Sequence, residues 1–250
     1  MEEFRNRLEI VGGGTEQQNV ILGIIGRKGT GKSSLTREIL ERSDREFIFD
    51  TAGDHLWTPD RFDQLDEAFS YVVAHGAEPG SFRGSYIPES DEDEDLVKDL
   101  SEISKAVWEV GNMTFVVEEL PMMSQPNWAP PKFNKIVRLG RHRSINVVYT
   151  GQRAAELPRR VTGATDVFVL FQTSEPPDLD QIALRCGKDT AELVKNLGEH
   201  EFVVFDVPSR SLLRIDSEWY DLVLKPTVHY TPAIGGRSGR SALWSLDDGE

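Results

Sequence analysis

Apolar residues fall along this chain in short unbroken runs, separated by stretches where they recur every three or four positions. That is the pattern of buried strands alternating with helices. The runs lie at residues 20–25, 46–50, 82–87, 113–120, 144–150 and 166–172. Helical spacing follows the first run (Leu35, Ile39, Leu40) and extends to about residue 42. It also marks 61–75 (Phe62, Leu65, Phe69, Val72, Val73) and 91–110 (Leu96, Leu100, Ile103, Val107, Val110). Shorter helices are expected at 132–139, 177–186 and 189–197. Two last strands, 201–207 and 211–215, flank Pro208-Ser209-Arg210 and predict a closing hairpin. The fold class is α/β: a mainly parallel central sheet flanked by helices, with a C-terminal β-hairpin.

The first run opens into Gly26-Arg27-Lys28-Gly29-Thr30-Gly31-Lys32-Ser33, which matches G-x-x-x-x-G-K-[ST] at every fixed position. A strand before it and a helix behind it supply the context that the motif needs. Glycines at 26, 29 and 31 let the backbone turn without Cβ clashes and aim its N–H groups at phosphate oxygens. The positive end of the helix dipole adds attraction for an anion. Lys32 is expected to reach the β- and γ-phosphates of a nucleoside triphosphate, and the Ser33 hydroxyl to complete a Mg²⁺ shell. Gly26, Gly29, Thr30, Gly31, Lys32, Ser33 and Ser34 are the expected nucleotide-binding residues, with ATP and Mg²⁺ as ligands.

Composition changes this picture little; charge changes it more. The 250 residues are 38% hydrophobic and 28% charged, ordinary for a globular chain with a sizeable core. No apolar run approaches the roughly 18 residues that span a bilayer, and Met1-Glu2-Glu3 does not open a signal peptide. A single cysteine, Cys186, excludes an internal disulfide and a cysteine-based zinc site, so a reducing cytoplasm is the expected location. The formal net charge is −14, which argues against a nucleic-acid partner until its distribution is examined. Residues 89–102 hold eight acids against Lys98, whereas 132–160 hold eight bases against Glu156. An acidic shell with one basic segment suits a protein that offers phosphate a single face. The acids near the start of the 91–110 helix favour its dipole. Residues 1–19 are expected to form an N-terminal arm or strand, 20–215 the catalytic domain, and 216–250 a C-terminal extension.

The strand at 113–120, MTFVVEEL, delivers adjacent carboxylates, Glu118 and Glu119. Side chains alternate along a strand, so the two cannot point the same way within a regular one. At a strand's end one can face a metal and the other a water. The arrangement looks like a Walker B strand followed by a catalytic glutamate, with Glu118 standing where the usual first acid is Asp. Glu118 is then the expected metal ligand beside Ser33, holding Mg²⁺ through a water, and Glu119 the group that orients the attacking water.

The succession GRKGTGKSS, FVVEE, LGRHRSINVVYTGQR and DVFVLF resembles the FtsK/HerA superfamily of ring-forming P-loop ATPases over residues 20–205. The resemblance implies a RecA/FtsK-like P-loop NTPase fold, with a separate strand between the first strand and the Walker B strand. It gives Gln152, at the end of that intervening strand, the role of γ-phosphate sensor. It also implies an arginine that completes a neighbouring subunit's site, for which Arg141 or Arg138 fits best. The chain is small for the superfamily and lacks the membrane helices of cell-division or conjugation motors. It looks most like the genome-packaging ATPases of membrane-containing double-stranded DNA viruses. The implied partners are double-stranded DNA, further copies of the chain in a homo-oligomeric ring, and a capsid portal or vertex protein, in the host cytoplasm and at the virion vertex. Lys132, Lys135, Arg159 and Arg160 are the candidate DNA contacts, with the proline-rich loop at 121–131 beside them. Two other readings stay open: a cellular or plasmid HerA-like translocase, and an assembly scaffold for which ATP is a switch.

Overall fold

The computed structural model of the chain describes residues 19–216 apart from 42, 54, 56, 57, 77 and 79. Except for Asn19 and Asp216, the expected N-terminal arm and C-terminal extension lie outside the described residues. The apolar runs form strands β1 (Ile21–Ile25), β2 (Arg45–Phe49), β4 (Phe82–Tyr86), β5 (Met113–Val117), β6 (Ile145–Gly151) and β7 (Val167–Phe171), with a short β3 at Asp60–Phe62. The hairpin is β8 (Phe202–Asp206) and β9 (Ser211–Ile215). Between them run α1 (Lys32–Leu40), α2 (Leu65–Gly76), α3 (Asp93–Val110), α4 (Pro131–Leu139), α5 (Arg159–Thr162), α6 (Pro176–Cys186) and α7 (Lys188–Lys195). No helix among the described residues is long and apolar enough to cross a membrane.

Among the described residues the nine strands join one sheet in the order β3-β4-β2-β5-β6-β1-β7-β8-β9. Pairing is parallel as far as β7 and antiparallel for β8 and β9. As expected, β6 lies between β1 and β5. Parallel strands in the middle of such a sheet are covered on both faces, which is why they read as unbroken apolar runs. Alternation then divides their side chains. Phe47, Phe115, Val147 and Leu170 pack with α2, α3, α4 and α6 on one face, while Ile24, Val116, Val148 and Val169 pack with Leu35 and Ile39 of α1 on the other. Each such side chain contributes about 1.5–3 kcal/mol by leaving water. The interior strands therefore have little freedom to shift register, because a slip of one residue would exchange their two faces.

Three elements depart from the sequence pattern. The segment at 61–75 is not one helix: Asp60–Phe62 pairs with β4, and the helix starts at Leu65 after a bend at Asp63 and Gln64. Phe62 and Leu65 both contact the core, so their spacing imitates a helical face across a strand-to-helix bend. The run at 113–120 stays in the sheet only to Val117, because Glu119 takes a left-handed φ of 46° and turns the chain into a short 3₁₀ segment, Leu120–Met123. Arg159 and Arg160 open a helix of four residues that the apolar pattern is too short to reveal, with Pro158 at its N-cap. The acids at 91–95 are all exposed around the start of α3, where three of them occupy its first turn. Their favourable interaction with the helix dipole accounts for them there.

One buried charge lies away from the site. Glu46 of β2 is fully buried opposite Arg83 of β4, with Arg83 Nε donating to Oε1 at 2.9 Å. Among the described residues Oε2 has no hydrogen-bond partner, and burial pushes the Glu46 carboxyl up to about 7 against the pull of Arg83. Between the ordinary glutamate value and that value the folded state holds a proton that the unfolded chain has lost, so stability falls as pH rises through this window. Relative to wild type, Glu46→Gln is expected to gain on the order of 2 kcal/mol between pH 5 and 7. Thermal melts of both proteins across that range check it; parallel pH profiles would contradict it.

Candidate active site

The site forms where the parallel strands end. Ile25 is paired with Gly151, Phe49 with Val117, and Val117 with Tyr149, so β1, β2, β5 and β6 deliver their next residues to one edge. Gly26 N donates to Gly151 O at 3.1 Å, closing the loop's start against β6. A Cβ on Gly26 would lie 2.6 Å from Phe171 Cβ, so only glycine permits this approach. Gly31, with φ 104°, caps α1 without any side-chain hydrogen bond, which leaves the first-turn amides of the helix for an anion.

Lys32 is 7% exposed, yet its ammonium has three oxygen partners. Nζ donates to Gly26 O at 2.8 Å and Arg27 O at 3.3 Å, and lies 3.6 Å from Glu119 Oε1. The lysine thus bridges the loop and the end of β5. Ser33 is half-buried and Ser34 exposed at the start of α1. Thr30 Oγ1 is turned back onto Arg27 O, so it braces the loop. Beside the loop, a cavity of about 340 Å³ is lined by Arg27, Lys28, Thr30, Phe171, Leu197 and His200, a size suited to a small organic ligand.

The left-handed turn at Glu119 separates the two carboxylates. Glu119 faces Lys32 and lies beside Gln152, the first residue after β6. Burial raises the Glu119 pKa; Lys32 opposes the rise, Glu118 adds to it, and Gln152 opposes it. A carboxylate with raised proton affinity beside an ordered amide suits an acceptor for a water's proton. Glu118 points the other way and is 4% exposed. His55 Nε2 donates to its Oε1 at 2.6 Å and Thr150 Oγ1 to its Oε2 at 2.5 Å. Thr150 Oγ1 also accepts from Glu119 N at 2.9 Å. His55 is itself held by its backbone N–H, which donates to Asp50 Oδ2.

The structure therefore brings together Lys32, Ser33, Glu118, Glu119 and Gln152, and adds Asp50, His55 and Thr150. Thr150 had a visible signal, as a polar residue ending the apolar β6. His55 had none, being one histidine in a loop 63 residues from Glu118. Ser33 and Glu118 supply hard oxygen donors, which fits Mg²⁺. Among the described residues no cluster of three or more His, Cys, Asp or Glu could hold a metal, and Mg²⁺ usually relies on one or two carboxylates plus phosphate oxygens.

Arg141 lies elsewhere. It precedes β6, whereas Gln152 follows it, and the seven-residue strand puts about 20 Å between them. Arg141 is exposed at the opposite edge of the sheet, with Nε 3.4 Å from His142 Nε2. Arg153, next to Gln152, is committed to Asp178 at 2.8 Å.

The basic segment forms one face along α4 and α5. Lys132, Lys135, Arg138 and Arg160 are exposed and pair with no carboxylate among the described residues. Lys135, Arg138 and Arg160 border an open groove of about 410 Å³ with Trp128 on its rim, 42% exposed. Lys135 Nζ sits 3.9 Å from the Trp108 ring centroid. Arg159 is exposed as well and adjoins the proline-rich loop: its backbone N–H donates to Pro126 O, and Nη1 donates to Asn127 Oδ1 at 3.4 Å.

At the sequence level no family profile and no curated protein matches the chain. Solved structures share its fold. The genome packaging NTPase B204 from Sulfolobus turreted icosahedral virus 2, in complex with ATPγS, aligns with a TM-score of 0.65 at 20% identity, over 78% of this chain and 96% of that one. B204, the DNA-packaging ATPase from Sulfolobus Turreted Icosahedral Virus, aligns with a TM-score of 0.61 at 19% identity, over 79% and 97%. VirB4 of Thermoanaerobacter pseudethanolicus aligns at 0.56 with 11% identity, over 78% and 88%. The α/β P-loop fold, with a mainly parallel sheet and a C-terminal hairpin, expected from the sequence pattern, is thus borne out.

Proposed function

We propose that residues 20–215 form an ATPase domain that hydrolyses ATP to ADP and phosphate, works in a homo-oligomeric ring, and moves double-stranded DNA during viral genome packaging. The observation that carries the chemistry is the convergence of Lys32, Glu119 and Gln152 at the end of a glycine-rich loop. The loop amides and Lys32 bind the β- and γ-phosphates. Ser33 and Glu118 hold Mg²⁺, which when bound neutralises charge on the phosphates. Gln152 and Glu119 orient a water; as its oxygen attacks the γ-phosphorus, Glu119 accepts its proton and the bond to the bridging oxygen of ADP breaks. Some cation must also meet the charge that develops on the transferring phosphoryl group. Arg141 cannot reach its own site from the far edge of the sheet, so it serves a neighbour's.

The likeness in fold to packaging ATPases of two icosahedral viruses supports the DNA-translocating role. The face bearing Lys132, Lys135, Arg159 and Arg160 supports contact with DNA backbone. A capsid portal or vertex protein is the further partner this role requires, and the cytoplasm and the virion vertex are its places of work.

Two experiments test this reading. ATP turnover is expected to rise with duplex DNA of any sequence, because phosphate contacts carry no sequence information, and DNA affinity to fall steeply with added salt. Replacing Lys132, Lys135 and Arg160 with Ala should flatten the salt slope by about one unit per lost phosphate contact. Turnover indifferent to DNA would instead favour an assembly scaffold switched by nucleotide. Arg141→Ala should reduce hydrolysis by about 10³-fold or more without weakening nucleotide binding. Mixing it with Lys32→Ala subunits should restore part of the activity, since some interfaces then pair an intact Lys32 with an intact Arg141. No recovery in rings confirmed by sizing would remove Arg141 from the mechanism.

A further inference from the structure

Glu118 is a buried carboxylate with a hydrogen bond on each of its oxygens. Free, its side chain would sample many rotamers, and fixing it on ligand binding would cost conformational entropy. Here that entropy is lost on folding. His55 and Thr150 take one hydrogen bond on each oxygen and fix the plane of the carboxylate, and Thr150 is fixed in turn by the amide of Glu119. His55 is fully buried, and its place is set from the end of β2, where Asp50 accepts its backbone N–H. A cross-link therefore runs along the sheet edge from β2 through β5 to β6. The two bonds use one acceptor position on each oxygen and leave one on each for a further donor or a cation.

The cross-link also bears on why a glutamate stands at position 118. Aspartate would draw the carboxylate back by one methylene and stretch the 2.6 Å bond to His55 beyond hydrogen-bonding range. Glutamate at 118 and histidine at 55 thus form a matched pair.

We propose that His55 is a positioning residue for divalent-cation binding, holding the Glu118 carboxylate in the orientation that meets Mg²⁺ or one of its waters. The proposal rests on the metal role given to Glu118 above. Groups of this kind, one shell out from a metal, orient the ligand they touch and set the site's affinity.

The test compares His55→Gln with His55→Asn in the full chain. The glutamine amide nitrogen can stand where Nε2 stands and still donate to Glu118; the asparagine amide is one methylene too short. Binding of a fluorescent ATP analogue is titrated against Mg²⁺, with an EDTA baseline, alongside kcat, KM and a thermal melt. The Asn variant is expected to need about 10–100-fold more Mg²⁺ for half-maximal effect and the Gln variant at most about threefold more. EDTA-state nucleotide binding should match wild type in both, because the phosphate loop is untouched. Midpoints for Asn and Gln that both equal wild type, or that shift together, would overturn the proposal. If neither variant folds, Thr150→Val decides by removing, at constant shape, the bond to Glu118 Oε2 together with the acceptor of the Glu119 N–H, and an unchanged Mg²⁺ midpoint there overturns the clamp. Wild-type binding that ignores Mg²⁺ altogether would instead overturn the metal role of Glu118, a result separable from failure at His55.

Discussion

A lysine ammonium buried at the end of a sheet must find oxygen partners, because an unpaired charge there would cost several kcal/mol. In this chain Lys32 finds them in Gly26 O, Arg27 O and the Glu119 carboxylate, and the arrangement of the site follows from that requirement. Two of the three acceptors belong to the loop itself, so the lysine ties the start of the loop to its end. The third belongs to the residue whose left-handed backbone turns the chain out of β5. Glu119 is thereby drawn towards the loop, leaving Glu118 to the other side. One cation thus helps assign the two neighbouring carboxylates to different surroundings.

The apolar sheet makes this assignment rigid. Register between β5 and β6 is fixed by side chains buried on both faces, and the same register sets Thr150 beside the carboxylate of Glu118 and Gln152 beside that of Glu119. Polar residues at the strand ends do not stabilise the fold so much as use it. Desolvation raises the proton affinity of Glu119 and strengthens the bonds that hold Glu118. At the opposite edge, roughly a strand's length away, Arg141 and the end of α4 face outward, so the chain presents two chemically distinct edges.

Much of this was legible in the sequence, for reasons particular to each part. The phosphate loop is local chemistry: eight consecutive residues bring the amides and Lys32 together, so adjacency in sequence is adjacency in space. The central strands were legible because burial on both faces leaves no alternation to misread. Arg141 and Gln152 flank one apolar run, so their separation by a strand's length follows from the sequence. What stayed hidden depends on long-range placement or on single backbone angles. The separation of Glu118 from Glu119 hangs on one φ angle of 46°, and the clamp on Glu118 comes from His55 in a loop after β2. Asp60–Phe62 and Arg159–Thr162 are too short for periodicity to register.

The central claim is that Glu119, not the loop alone, turns nucleotide binding into hydrolysis. Glu119→Gln keeps the side chain's shape and removes its ability to accept a proton. Single-turnover hydrolysis measured beside equilibrium binding of ATP on that variant is the most direct test. The account predicts binding close to wild type with hydrolysis slowed by about 10²–10⁴-fold. Hydrolysis within a few-fold of wild type would contradict it.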